Sequence, residues 1–156
     1  MSEQPNHRVT RTHRPRRLAI GLAAAVFAVV ALAGCWSSDQ QTNLDLINRA
    51  RSGRVQLRGD DLAMKKAQAW AEHMARTGVL EHTGGGTKLS TTGLGRWCAV
   101  AENVGVGGSQ TIVHNAFLGS GPHKANMIGN YDRAGTGVAY GRGQVWVVQI
   151  YLRGTC

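Results

Sequence analysis

Acidic residues are scarce in this 156-residue chain, with nine Asp and Glu set against eighteen Lys and Arg, for a formal net charge of +9. Such an excess invites a nucleic-acid reading, yet no basic run is longer than Lys65-Lys66. The pattern that tracks a phosphate backbone is missing, which argues against nucleic acid as a partner. Long apolar runs are missing too. The one extended stretch, Leu18 to Leu32, is short of the roughly 20 residues a membrane-spanning helix needs. Only three cysteines are present, with no CxxC pair, which excludes a zinc ribbon or finger. Glycine is plentiful, at 21 residues, but none of the phosphate-binding glycine spacings occurs. The length allows one domain with one core.

The charge is unevenly placed. Residues 1–34 contain Arg8, Arg11, Arg14, Arg16 and Arg17 against Glu3 alone, a net +4 that leaves +5 for the rest. A basic segment followed by a short apolar run is the layout of an export signal. It closes on Leu32-Ala33-Gly34-Cys35, which resembles the lipobox of bacterial lipoproteins, where the cysteine receives diacylglycerol. This predicts a signal peptide over 1–34, lipidation of Cys35, a short tether over 35–41 and a mature protein on the outer face of the cell membrane. An ordinary signal peptide or an uncleaved anchor are the alternatives, and Arg16-Arg17 only weakly resembles a twin-arginine signal. With Cys35 removed, Cys98 and Cys156 form an even pair in an oxidising compartment, either bridged or left as two thiols.

From Thr42 the apolar spacing of Leu44 and Ile47 predicts a short helix ending near Ser52-Gly53. Asp60 is placed to cap a stronger helix whose stripe runs Ala63, Ala67, Trp70, Ala71 and Met74, stopped by Gly78. Thr83 to Gly95 is a loop. Ser109 can cap a third helix, and Ser120-Gly121-Pro122-His123 opens a fourth. Gly137 to Tyr140, a Gly141-Arg142-Gly143 turn and Gln144 to Leu152 predict a β-hairpin. Helices first and a hairpin last indicate an α+β domain.

Five segments then carry a resemblance. Asp61-Leu62-Ala63 through Ala71, Leu80-Glu81-His82, Ala101-Glu102-Asn103-Val104, Ser120 to Asn126, and Gly137-Val138-Ala139 through Tyr151 together resemble the CAP superfamily of cysteine-rich secretory, antigen 5 and pathogenesis-related proteins. The likeness to its bacterial SCP-like extracellular branch covers residues 42–156. It implies an α-β-α sandwich with an antiparallel sheet between helical layers. It also implies a cleft with His82, Glu102 and His123, where several members bind zinc or another divalent ion. Many members supply a second acid between the first histidine and the Glu-Asn pair, but Thr83 to Ala101 contains none.

Two imidazoles and a carboxylate are the minimum for a divalent metal with open water positions. A hydrolase would also need a general base, and no second carboxylate is placed for it; the sequence therefore leans away from an enzyme without deciding. Three functions follow. The favoured one is a lipid-anchored module of the bacterial cell envelope that binds a lipid, peptide or cell-wall ligand through His82, Glu102 and His123. The others are a metal-dependent hydrolase using that cleft, and a basic domain that associates with anionic envelope polymers. Ser120 is spaced as a helix cap rather than a nucleophile, His73 and His114 as surface or boundary residues of helices, and Asn126 and Asp132 as turn residues. Oligomeric state is not encoded in any of these features.

Overall fold

A computed structural model describes Met1, residues 35–154 and Cys156. The leader expected over 1–34 lies, but for Met1, outside them. The elements in chain order are α1 (Ser38–Ala50), β1 (Arg58–Gly59), α2 (Asp61–Thr77), β2 (Ala99–Gly107), α3 (Gln110–Gly119), α4 (Gly121–Met127), β3 (Arg133–Gly141) and β4 (Gln144–Arg153).

Helix α1 begins four residues before the expected Thr42, within the stretch read as a tether. The cause is local. Ser37 Oγ accepts from the Gln40 amide while Gln40 Oε1 accepts from the Ser37 amide, a complete capping box of the Ser-x-x-Gln kind. Asp60 caps α2 as anticipated, through Oδ1 to the Ala63 amide at 3.0 Å, and Gly78 ends it. Ser109 caps α3 through the Ile112 amide. Ser120 precedes α4, although its hydroxyl makes no capping bond there.

The sheet runs β1-β3-β4-β2. β3 and β4 form the expected hairpin, and β2 pairs antiparallel with β4, with Glu102 opposite Ile150 and Asn103 opposite Gln149. The two-residue β1 adds a parallel edge to β3. Neither β1 nor β2 was anticipated. β2 reads Ala-Val-Ala-Glu-Asn-Val-Gly-Val-Gly, with an acid, an amide and two glycines that all disfavour a strand on propensity. Its alternation nonetheless sends Glu102 and Val104 to one face and Asn103 and Gly105 to the other.

Each face carries its own core. Ile47, Val113, Phe117, Met127, Val147 and Tyr151 pack between the sheet and α1, α3 and α4. Met74, Leu94, Trp146, Val148, Ile150 and Leu152 pack on the α2 side with Ala63, Ala67 and Ala71. This is the α-β-α sandwich the resemblance implies. The alanine stripe lets α2 lie very close to β3: a Cβ on Gly135 or Gly137 would overlap the α2 backbone at Ala63 or Ala67. Those glycines are required by contact between two backbones. Trp70, expected in the core, is half-buried at its margin and donates Nε1–H to the Glu81 carbonyl at 2.8 Å. Cys98 and Cys156 are bridged, with Cα atoms 5.4 Å apart, so the paired alternative holds.

Candidate functional site

Edge strand β2 is where the two helical layers can meet, and the candidate residues gather around it from both sides. Glu102 points to the α2 face. Its side chain is fully buried, and Oε1 lies 2.8 Å from His82 Nδ1. The same oxygen accepts the Thr83 amide at 3.0 Å. A carboxylate offers only acceptors, so His82 Nδ1 carries the proton and Nε2 is left as the acceptor nitrogen. The His82 side chain keeps about a quarter of its surface exposed.

The loop that presents His82 is held at several points. His73 stacks on Trp70 with ring centroids 4.5 Å apart, and Glu81 Oε1 approaches His73 Nε2 at 3.6 Å. Glu81 Oε2 accepts the Gly86 amide. The His82 amide and carbonyl bond across the turn to Gly86 and Gly85, both at positive φ, a backbone region that glycine adopts without steric cost. The glycine run therefore closes the His82 turn. His73 and Glu81 were not singled out from the sequence as loop-holding residues; the Glu-His dipeptide was a signal, but which way Glu81 turns was not readable.

His123 arrives from the opposite layer on α4, its ring 5.1 Å from Phe117. Asn126, read as a turn residue, fastens α4 to β2 through Nδ2 to Asn103 Oδ1 at 2.9 Å and to the Glu102 carbonyl. Asn103 Nδ2 in turn donates to the His123 carbonyl at 3.1 Å and to Gln149 Oε1. Tyr151 Oη donates to Gln149 Oε1 at 2.6 Å, and Gln149 Nε2 donates to Asn43 Oδ1. A buried amide chain thus links α1, the sheet and α4, and positions His123 through its backbone. Satisfied networks of this kind favour a single arrangement.

His123 has its imidazole pKa lowered by burial and then by the nearby charge of His82, and buried His114 is lowered by burial alone. Both are thus neutral in the fold at neutral pH, while the unfolded chain takes up protons first as the pH falls. Stability is therefore expected to be full above the unfolded value near 6.5 and to fall as the pH drops through it, levelling below the folded values. Urea midpoints measured between about pH 8 and about pH 5 check this. His114→Gln should flatten the profile, and an unchanged slope would contradict the assignment.

Among the described residues no group of three or more His, Cys, Asp and Glu is gathered to hold a metal ion. Glu102 Oε1 is committed to His82 and Thr83, and Oε2 is buried without a partner. The donors present do not fit a zinc centre with three protein ligands, because the carboxylate orients one imidazole instead of joining it. A separate cleft of about 510 Å³ is lined by residues of α1 and α2, including Met64, Lys65 and Gln68, and by Cys35 and Trp36.

The family model described as CAP, cysteine-rich secretory protein family, matches residues 44–151. Among curated proteins none matches the sequence. Solved structures share the fold at low identity. The venom allergen-like protein 4 of Schistosoma mansoni is 12% identical over 77% of this chain and 91% of its own, with a TM-score of 0.61. An outer surface protein of Borrelia burgdorferi is 18% identical over 74% and 92%, at 0.60. The protein NaASP2, crystallised with Zn2+, is 15% identical over 76% and 83%, at 0.54.

Proposed function

The chain belongs to the CAP, cysteine-rich secretory protein family, and from that premise we propose that it is a lipid-anchored binding module on the outer face of the bacterial cell membrane. The anchor is Cys35, following the export leader over 1–34. The bound ligand is a lipid, peptide or cell-wall fragment carrying a hydrogen-bond donor, engaged at His82 and His123. Among the described residues no helix is long and apolar enough to cross a membrane.

One observation carries the choice of binding over hydrolysis: Glu102 is spent holding the His82 ring. Its Oε1 is committed to His82 and Thr83, its Oε2 is buried away from solvent and Glu81 is turned to His73, so among the described residues no solvent-facing carboxylate at the site is free to activate a water. His82 Nε2 is then a fixed acceptor beside the second imidazole, an arrangement suited to orienting a polar group.

The test is calorimetry on the full chain with Zn2+ and Mg2+, beside His82→Ala and Glu102→Ala, together with mass spectrometry of what co-purifies. Expected are no saturable one-to-one metal binding and a co-purifying ligand that is lost in His82→Ala. One-to-one metal binding abolished by both changes would replace this reading with the metal-dependent one.

A further inference from the structure

The residue after Cys35 is fixed to the domain. The Trp36 ring packs on Gly59 so closely that a Cβ there would overlap it, and its Nε1–H donates to Asp61 Oδ1 at 2.9 Å. Ser37 already caps α1. A single peptide unit, about 3.8 Å between Cα atoms, separates Cys35 from the folded body. Any lipid on that thiol therefore begins at the domain surface, at the end of the sandwich formed by β1 and the start of α2.

The same end is continuous with an exposed apolar and basic surface. Leu62, beside Asp61, is 51% exposed and lies against Gly95. Two residues on, Trp97 is 40% exposed, and the Arg96 carbonyl accepts from Arg133, which pairs with Asp60. Arg58, Lys65 and Arg96, close along the chain to these side chains, are exposed. The nearby acids are engaged, Asp60 and Asp132 with Arg133 and Asp61 with Trp36. An exposed Trp and Leu with exposed cations close by in the chain have the chemistry of the bilayer interface, where indole rings settle at headgroup depth and basic side chains meet anionic lipid.

We propose that this end of the domain, centred on Leu62 and Trp97, is seated on an anionic phospholipid bilayer, so that the module is held in one orientation instead of floating on a tether. The inference rests on lipidation of Cys35 as read above. It also bears on the site, because Glu102 is only three residues along β2 from Ala99, about 10 Å at the rise of a strand.

The experiment uses the full chain extracted from bacterial membranes and returned to phosphatidylcholine–phosphatidylglycerol vesicles containing brominated phosphatidylcholine. Intact mass reads the acyl chains, and tryptophan quenching reads the seat. Expected are an acylated mass and quenching whose larger part is lost both in Trp97→Phe and when a Gly/Ser spacer is inserted between Cys35 and Trp36. The spacer leaves the domain sequence intact, so its loss of quenching is not a folding defect. An acylated protein that shows no quenching, or that keeps it in either variant, overturns the seat and leaves the lipoprotein reading standing. A mass without acyl chains overturns both.

Discussion

Replacing Arg51 with alanine is expected to remove about 3–5 kcal/mol of stability, the cost of leaving buried polar groups without their partner. Arg51 is 2% exposed, and among the described residues it has no acidic partner within ion-pair distance. Its charge is instead dispersed over carbonyls: Nε donates to Val55 at 2.9 Å, Nη1 to Met127 at 2.8 Å and Gly129 at 2.9 Å, and Nη2 to Tyr131 at 3.3 Å. Burial, with Arg54 nearby, lowers its pKa from the ordinary guanidinium value, but a group that titrates so high remains charged at neutral pH. These carbonyls belong to the turn after α1 and to the segment joining α4 to β3. One side chain therefore closes two loops and fixes the end of the helix that carries His123. Arg51→Lys should recover only part of the loss, because a single ammonium cannot reach carbonyls spread across a planar fork. Urea unfolding of both variants checks the ranking. A loss below about 1 kcal/mol for Arg51→Ala would mean the carbonyls find water instead.

Arg51 also marks how far a sequence can be read. It stands just before the Ser52-Gly53 stop of the short helix α1, but nothing in its neighbours foretold burial, because three of its four partners lie more than seventy positions away. The helices were legible since their caps and stripes are local: Asp60, Ser109 and the Ala63-Ala67-Ala71 run each act within a few residues. The β3–β4 hairpin was legible for the same reason. β2 was not, since its composition suits the site it builds more than the strand it forms. Its Glu102 is held by a histidine from another layer and its Asn103 by two other elements, α4 and β4. The three candidate residues were named through their motifs, yet their division of labour needed coordinates. Whether Glu102 ligates or orients depends on which atom faces Oε1, and spacing carries no information about that. Asn126 was undervalued because an amide near a helix end is ordinarily a turn residue.

The second large effect lies at the start of β2. Replacing both Cys98 and Cys156 with serine should cost about 4 kcal/mol, because the bridge closes a loop with a sequence separation of 58 whose freedom is restored only in the unfolded chain. That loop contains β2, α3, α4 and the whole hairpin, so Glu102 and His123 both lie inside it. The folded side of the equilibrium keeps its own tie at this point, since the Cys98 amide donates to the Arg153 carbonyl at 2.7 Å and the β2–β4 ladder begins at once with Ala99 opposite Arg153. The loss is therefore expected in the urea midpoint and not in the site. Below the transition, the imidazole resonance of His123 should titrate as in the bridged protein. A shifted His123 titration in the folded double variant would mean instead that the bridge holds β2 in register. In that case the stability loss would belong to the native state, and the position of Glu102 beneath His82 would depend on a bond made at the strand's first residues.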